Sequence, residues 1–326
     1  MKFGILGAGN IAQTMANTIS KMTGIESYAV ASRDIGKATD FATKNGFLKA
    51  YGSYEELVQD EEVELIYIAT PHSHHYAHAK LCIEHGKPVL CEKAFTANAM
   101  QAKEILALAK EKKVFITEAI WTRYMPSRER INAIIDSGLI GNVTSVTANI
   151  GYAIDHAERL IKPDLAGGAL LDLGVYPINF ACMILGSNYS EVSSTAILTD
   201  TGVDSMNTIT LSYADGKMAS LHSTFKARTN RMGVISGTQG YMEIQNINNC
   251  EEIRVYNIND ELLKKETFKD QITGFEYEVD ACVDALNNGL LECPQMPHSE
   301  IIKIMELMDS LRKEWGVIYP WDETDN

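Results

Sequence analysis

The stretch Lys2-Phe3-Gly4-Ile5-Leu6-Gly7-Ala8-Gly9-Asn10-Ile11-Ala12 decides how this chain folds. The apolar run 3–6 reads as a strand that stops at Gly7. Beyond it, Ile11, Ala12, Met15, Ala16 and Ile19 fall on one face of a helix. Between strand and helix lies G-x-G-x-x-A, and that setting gives an otherwise weak pattern its meaning. Gly7 permits the tight turn, Gly9 lets the backbone approach a pyrophosphate, and Ala12 lets the helix lie close to the sheet. Free N–H groups and the positive end of the helix dipole favour phosphate there. The stretch predicts a dinucleotide site at Gly7, Gly9, Asn10 and Ile11; the alternative is a glycine-rich turn without a ligand.

Working outward, apolar runs at 27–31, 65–69, 88–91 and 114–117 read as further strands, with amphipathic helical patterns between them. Such alternation with short connections predicts a doubly wound parallel sheet, an α/β Rossmann domain. After Trp121 the rhythm changes. Strand-like runs follow at 143–150, 192–198, 209–213, 218–223, 234–236 and 253–256, with a hairpin signal at Asp215-Gly216. Helical patterns sit near 128–137, 176–185, 275–287 and 300–315. Consecutive strands joined by tight turns predict an α+β domain with an open, largely antiparallel sheet and helices on one face. The expected division is therefore 1–120 and 121–326, with the last helix, 300–315, left free to pack back on the first domain. A length of 326 residues suits two domains, at about 150 residues each.

Composition narrows the function classes. Twenty-nine Lys and Arg against forty-three Asp and Glu give a net charge of −14. Nucleic acid and anionic membranes need a basic footprint and are not expected partners, although a local basic pocket for one phosphate is compatible with this balance. The run Met1-Lys2-Phe3-Gly4-Ile5-Leu6 enters a strand without the architecture of a signal peptide. No stretch approaches about 18 uninterrupted apolar residues, so no transmembrane helix is expected. Cys82, Cys91, Cys182, Cys250, Cys282 and Cys293 are scattered and form no C-x-x-C. Reduced thiols in a cytoplasmic protein are the expectation.

The end of the second strand selects the cofactor. An NAD enzyme usually places a carboxylate there for the ribose 2′-hydroxyl. This chain has Ala31-Ser32-Arg33-Asp34. A small hydroxyl followed by a guanidinium suits a 2′-phosphate, and Lys37 adds a second positive charge one turn on. Asp34 is read either as the competing carboxylate or as a helix N-cap. These residues favour NADP. His72, His74, His75 and His78 invite a metal reading, since His74 and His78 are spaced i, i+4. No carboxylate falls at H-E-x-x-H spacing, however, and the segment follows a strand C-terminus, where a dinucleotide lies in this architecture. No metal is expected; the histidines either line the cofactor crevice or lie on the surface.

Three runs together resemble the Gfo/Idh/MocA family of oxidoreductases: Gly7-x-Gly9-x-x-Ala12, then Ala69-Thr70-Pro71-His72-Ser73-His74-His75, then Gly86-Lys87-Pro88-Val89-Leu90-Cys91-Glu92-Lys93. Two more, Glu118-Ala119-Ile120-Trp121-Thr122-Arg123-Tyr124-Met125-Pro126 and Gly167-Gly168-Ala169-Leu170-Leu171-Asp172-Leu173-Gly174-Val175-Tyr176-Pro177, resemble its dimeric dihydrodiol dehydrogenase and NADP-dependent D-xylose 1-dehydrogenase branch. The likeness spans nearly the whole chain and is strongest before residue 185. It implies a Rossmann domain followed by an α+β domain whose open sheet forms a homodimer interface. It also implies catalytic roles for Lys93, which matches the lysine of a Glu-Lys-Pro motif, and for Asp172 and Tyr176. Pro71, His72 and His75 match the segment beside the nicotinamide, with His72 standing where the family has Asn. Thr70 and Glu92 fall within the matched cofactor-contact runs. Ala94 stands where the family has Pro, which removes the restraint a proline places on the residue before it.

Hydride transfer itself belongs to the nicotinamide; the protein has to move one proton. A tyrosine titrates near pH 10, about three units too high for a base near neutrality, and a neighbouring ammonium favours its phenolate. Lys93 is the candidate ammonium and Tyr176 the phenol. Asp172 and Tyr176 share a helix face if a helix starts after the glycines. Trp121 and Arg123 are placed to wall the nicotinamide, while Arg159 and His156 are weaker candidates for substrate. The bland readings stay beside these: Tyr176 packing at a helix start, Asp172 as an N-cap, Lys93 as a loop lysine, Trp121 as core and Arg123 as a surface ion pair. The leading expectation is an NADP-dependent dehydrogenase acting on a secondary alcohol, cyclic hemiacetal or carbonyl, of the sugar or cyclic vicinal diol class. A non-catalytic dinucleotide-sensing regulator and an NAD-dependent polyol dehydrogenase are the alternatives.

Overall fold

A computed structural model describes residues 1–322. The backbone forms two compact units, Met1–Ile120 with Gln271–Met305, and Trp121–Asp270 with the segment from Glu306 on. The first unit holds β1 (Lys2–Leu6), β2 (Glu26–Ala31), β3 (Lys49–Tyr51), β4 (Leu65–Ile68), β5 (Val89–Glu92) and β6 (Ile116–Ala119). They make one parallel sheet in the order β3-β2-β1-β4-β5-β6. Every residue of β4, β5 and β6 is buried, as parallel strands covered on both faces are. The crossovers carry α1 (Asn10–Ile19), α2 (Ile35–Asn45), α3 (Tyr54–Gln59), α4 (His72–Glu84) and α5 (Ala99–Lys112). The order reverses between β1 and β4, and at such a switch point the strand C-termini leave a crevice for a ligand. Gly7 follows β1, and Thr70-Pro71 lies just past β4.

The second unit holds α6 (Pro126–Asp136), α7 (Val175–Leu185) and eight strands. These are β7 (Val143–Gly151), β8 (Glu191–Leu198), β9 (Asp204–Ser212), β10 (Met218–Thr224), β11 (Gly233–Gly237), β12 (Gly240–Gln245), β13 (Glu252–Asn257) and β14 (Leu262–Thr267). Their order is β14-β13-β12-β11-β7-β10-β9-β8. All pairs are antiparallel except β7 with β10. The helix α7 packs on β7 and β10. The segment 163–185, long and apolar enough to be weighed as a membrane span, is mostly buried inside the protein and serves as core.

A single boundary at residue 120 places α8 (Glu276–Asn287) with the second sheet, whereas the structure groups it with the first. The physical reason lies at the sheet edge. Ile116 N–H of β6 donates to the Leu291 carbonyl at 3.1 Å, and His298 Nε2 lies 2.9 Å from the Ile116 carbonyl. The returning chain thus covers an edge strand that would otherwise present unpaired backbone. The last helix, α9 (His298–Trp315), belongs to the first unit up to Met305 and to the second from Glu306. All six cysteines are buried and reduced.

Candidate active site

In the first unit, the turn after β1 is built to leave room. Gly7 has φ +109°, and a Cβ there would come 3.0 Å from the Ala69 carbonyl oxygen. Gly9 is extended at φ −96°, yet no heavy atom lies within 4 Å of where its Cβ would stand. No side chain caps α1, and the N–H groups of a helix's first turn, here starting at Asn10 and Ile11, have no intrahelical partner. A cradle that a Cβ would fill, at an uncapped helix start, fits a dinucleotide pyrophosphate.

Two residues beyond β2 settle the reading of Asp34. Its Oδ1 accepts the Lys37 N–H at 3.1 Å, which makes it the N-cap of α2. Ser32 Oγ accepts the Asp34 N–H at 3.3 Å. Arg33 and Lys37 are exposed. The Arg33 charge reaches Tyr54, His74 and His78.

The histidines of α4 form a packed row. His78 Nδ1 lies 3.0 Å from Thr70 Oγ1, its ring sits edge-on to Tyr54 at 4.6 Å, and His74 stacks on it at 5.7 Å. Burial, then the charges of His74, His75 and Arg33, pull His78 down to about 4. Burial and Arg33 likewise lower His74. His78 is therefore neutral near physiological pH, and Arg33 and Lys37 carry the positive charge at this end of β2. His75 is fully buried, with Nδ1 2.9 Å from the Ala94 carbonyl and Nε2 2.8 Å from the Thr70 carbonyl. It braces the loop after β4 against the loop after β5. His72 packs edge-on against it at 5.8 Å. Among the described residues, no group of three or more His, Cys, Asp or Glu is arranged to hold a metal ion.

The segment 92–95 is pinned from below. Glu92 accepts from the Tyr67 hydroxyl and, at 3.1 Å, from the Lys93 N–H. Glu118 accepts the Phe95 N–H at 3.0 Å. The Lys93–Ala94 peptide is cis, and Lys93 itself is half-buried. Sequence reasoning missed Glu278 of α8, which is fully buried with both carboxyl oxygens unpartnered. Burial, then the charge of Glu92 and that of Cys293, push its pKa well above the carboxylate range.

The second unit carries the other candidates. A π-helical turn, Leu170–Gly174, leads into α7; such insertions are frequent at functional sites. Asp172 stands on this turn, and Tyr176 stands four residues on, in the first turn of α7. The Arg159 guanidinium grips Asp172 in a fork, Nη1 to Oδ1 at 2.6 Å and Nη2 to Oδ2 at 3.3 Å. Asp172 is buried and Arg159 half-exposed. Trp121 Nε1 donates to Tyr176 Oη at 3.2 Å. That indole occupies an acceptor site on the phenol. Arg123 is not the surface ion pair it could have been: it is buried, and its Nε donates to Asn179 Oδ1 at 2.6 Å. Asn179 Nδ2 donates in turn to the Val175 carbonyl at 2.8 Å, so Arg123 braces the start of α7. His156 is exposed.

Two family models match this chain: the Gfo/Idh/MocA oxidoreductase family with its NAD-binding Rossmann fold over residues 1–119, and the Gfo/Idh/MocA C-terminal domain over residues 129–243. The trans-1,2-dihydrobenzene-1,2-diol dehydrogenase of Mus musculus is 35% identical over 330 residues, covering 99% of this chain and 99% of the relative. That of Homo sapiens is 33% identical over 331 residues with the same coverage. A 3-ketoreductase from Actinomadura kijaniata, solved in complex with NADP and TDP-benzene, aligns at TM-score 0.88 with 22% identity, over 96% of this chain and 97% of its own. An aldose-aldose oxidoreductase from Caulobacter crescentus, complexed with glycerol, aligns at TM-score 0.87 with 19% identity, over 97% of each chain. Both of its halves match family models and its full length is one third identical to curated relatives, so this chain is a member of the Gfo/Idh/MocA oxidoreductase family.

Proposed function

We propose that this protein is an NADP-dependent dehydrogenase acting on a hydroxyl-bearing carbon, or the matching carbonyl, of a cyclic vicinal diol or a sugar. The observation that carries the reading is the arrangement where the 170–174 turn enters α7. There, a phenol hydrogen-bonded by an indole stands one turn from a carboxylate held in a guanidinium fork. The names of the full-length relatives support the diol, and the two solved neighbours support a keto or sugar carbon.

A nicotinamide, when bound, would supply hydride chemistry. The residues of this chain do the rest. Tyr176 gives or takes the proton at the substrate oxygen, with the Lys93 ammonium as the charge that favours its phenolate. Asp172, fixed by Arg159, accepts a hydrogen bond from a neighbouring hydroxyl, a role that suits a vicinal diol. The 2′-phosphate reading is supported by Ser32 and Arg33 at the end of β2 and by the use of Asp34 as a cap. A carboxylate engaged by its own helix is not offered to a ribose hydroxyl.

Lys93→Met and Tyr176→Phe should each lower turnover by about 100-fold or more, the range of general acid–base catalysis. Binding of NADPH, followed by its fluorescence, should survive the tyrosine change. Turnover of a cyclic diol at the native rate by Tyr176→Phe would rule the proton assignment out. Ser32→Asp should swing the NADP-to-NAD preference by about tenfold or more toward NAD, because a carboxylate repels the phosphate and holds the hydroxyl. An unchanged ratio of kcat/KM for the two cofactors defeats the reading of β2.

A further inference from the structure

The turn that carries Asp172 and leads into Tyr176 on α7 is held from distant parts of the chain as well as by its own backbone. Leu170 donates its N–H to Asp204 Oδ2 at 2.8 Å, and Asn207 Nδ2 donates to the same oxygen at 2.8 Å. Asp204 is fully buried, and its other oxygen, Oδ1, has no hydrogen-bond partner. That oxygen faces Gly168, whose φ is +119° and on which a Cβ would overlap it. From a second direction Tyr319 donates its hydroxyl to the Gly167 carbonyl. The Tyr319 ring lies 4.2 Å from the Arg312 guanidinium, which Asp309 and Asp322 hold in place. Asn207 is fixed in turn by Ser223 Oγ at 2.9 Å.

We propose that Asp204 is a positioning residue whose carboxylate sets the 168–174 turn, and so aims Asp172 and Tyr176. It touches no substrate; it acts through the Leu170 amide. The inference rests on the reading of Asp172 and Tyr176 as reacting groups. Two facts favour a functional role over simple packing. First, a buried carboxylate with one bare oxygen is an expensive way to fill space. Second, burial pushes Asp204 up to about 6, against the pull of Asn207, Leu170 and Arg312, so it crosses from neutral to charged just below physiological pH. Hydrogen bonds to a charged acceptor are about twice as strong as those to a neutral one, so protonation loosens the hold on Leu170. The charged and titratable groups that face this carboxyl or its partners are Arg312 and Tyr319, with Asp309 and Asp322 on Arg312. Arg159 holds Asp172 on the turn, and His222 Nδ1 lies 3.0 Å from the Asn207 carbonyl.

The test compares native protein, Asp204→Asn and Tyr176→Phe, each with NADPH and a cyclic diol or its ketone across pH. The native kcat should fall on the acid side with a midpoint at about pH 6, where Asp204 titrates. Asp204→Asn should lose about tenfold in kcat, as a small misplacement of reacting groups does. It should keep its KM for NADPH within about twofold, lose the acid limb, and show faster hydrogen exchange at the 168–173 amides. His222→Asn should keep the limb. Native kcat together with an intact acid limb in Asp204→Asn overturns the proposal. So does a loss spread evenly over kcat, cofactor affinity and melting temperature, which marks an ordinary core residue. Should Asp204→Asn not fold, the native protein still decides. Protection of the Leu170 amide, corrected for intrinsic exchange, should weaken over the same pH range in which kcat falls, and flat protection overturns the proposal. A Tyr176→Phe variant with native turnover sinks the parent reading instead, and the exchange result at Leu170 then stands or falls by itself.

Discussion

Two glycine turns, 7–12 in the first unit and 167–174 in the second, open helices in the same way and serve opposite ends. At Gly9 the space beside the backbone is empty to 4 Å and the helix start is uncapped. At Gly168 the equivalent space holds the Asp204 carboxylate, and at Gly167 a Cβ would meet the Leu160 and Arg159 carbonyls at 2.7 and 2.8 Å. At Gly167 and Gly168 nothing larger fits, whereas at Gly9 the protein leaves the space open. In the first turn an occupant would have to come from outside the chain; in the second the protein supplies it. A glycine pair therefore does not announce a ligand. What distinguishes the two is whether the absent side chain would meet protein.

The largest effect expected from this contrast is at Gly168. An alanine there has to hold a backbone that L residues rarely adopt, φ +119°, and its methyl has to displace a buried carboxylate oxygen that cannot retreat without dropping Leu170 and Asn207. Strain and overpacking together should cost about 2–4 kcal/mol of unfolding free energy. Urea denaturation of Gly168→Ala reads this directly, and a loss below about 1 kcal/mol means that the turn is looser than its packing implies.

The same contrast explains what the sequence made legible. The strands of the parallel sheet are continuous apolar runs because both faces are covered, so β1, β2, β4, β5 and β6 stand out. The strand β3, Lys49-Ala50-Tyr51, is three half-buried residues and carries no such signal. The run Leu262-Leu263-Lys264-Lys265-Glu266-Thr267 reads as a charged surface stretch because β14 is an edge strand, where lysines discourage further pairing. The first glycine turn was legible from local order alone: strand, G-x-G-x-x-A, helix. Asp172 and Tyr176 were legible only through the family resemblance, since their spacing marks a helix face and no more. Asp204 and Tyr319 were not legible at all. They reach the second turn from 34 residues and 152 residues away along the chain, and no periodicity encodes such a contact. Arg123 and Glu278 mislead for a related reason. Charged residues are assigned to the surface by default, and only tertiary packing reveals that one braces Asn179 and the other sits in the core.

A smaller effect, at Gly9, tests the other half of the comparison. Its backbone is extended rather than left-handed, so alanine meets no conformational penalty, and no atom stands within 4 Å to be displaced. Gly9→Ala should therefore unfold within about 0.5 kcal/mol of the parent, as substitutions clear of packing do. Its methyl would instead occupy the ground a pyrophosphate needs for close approach to the α1 amides. Dinucleotide affinity should fall by about tenfold or more, equivalent to about 1.4 kcal/mol. Fluorescence titration with NADPH, set beside the urea curve, separates the two quantities. An unchanged affinity would mean that the empty space beside Gly9 is not where the phosphates lie, and the first turn would lose its claim to a ligand. A lowered affinity at constant stability, against the lowered stability of Gly168→Ala, would establish that two similar glycine turns are kept for different occupants.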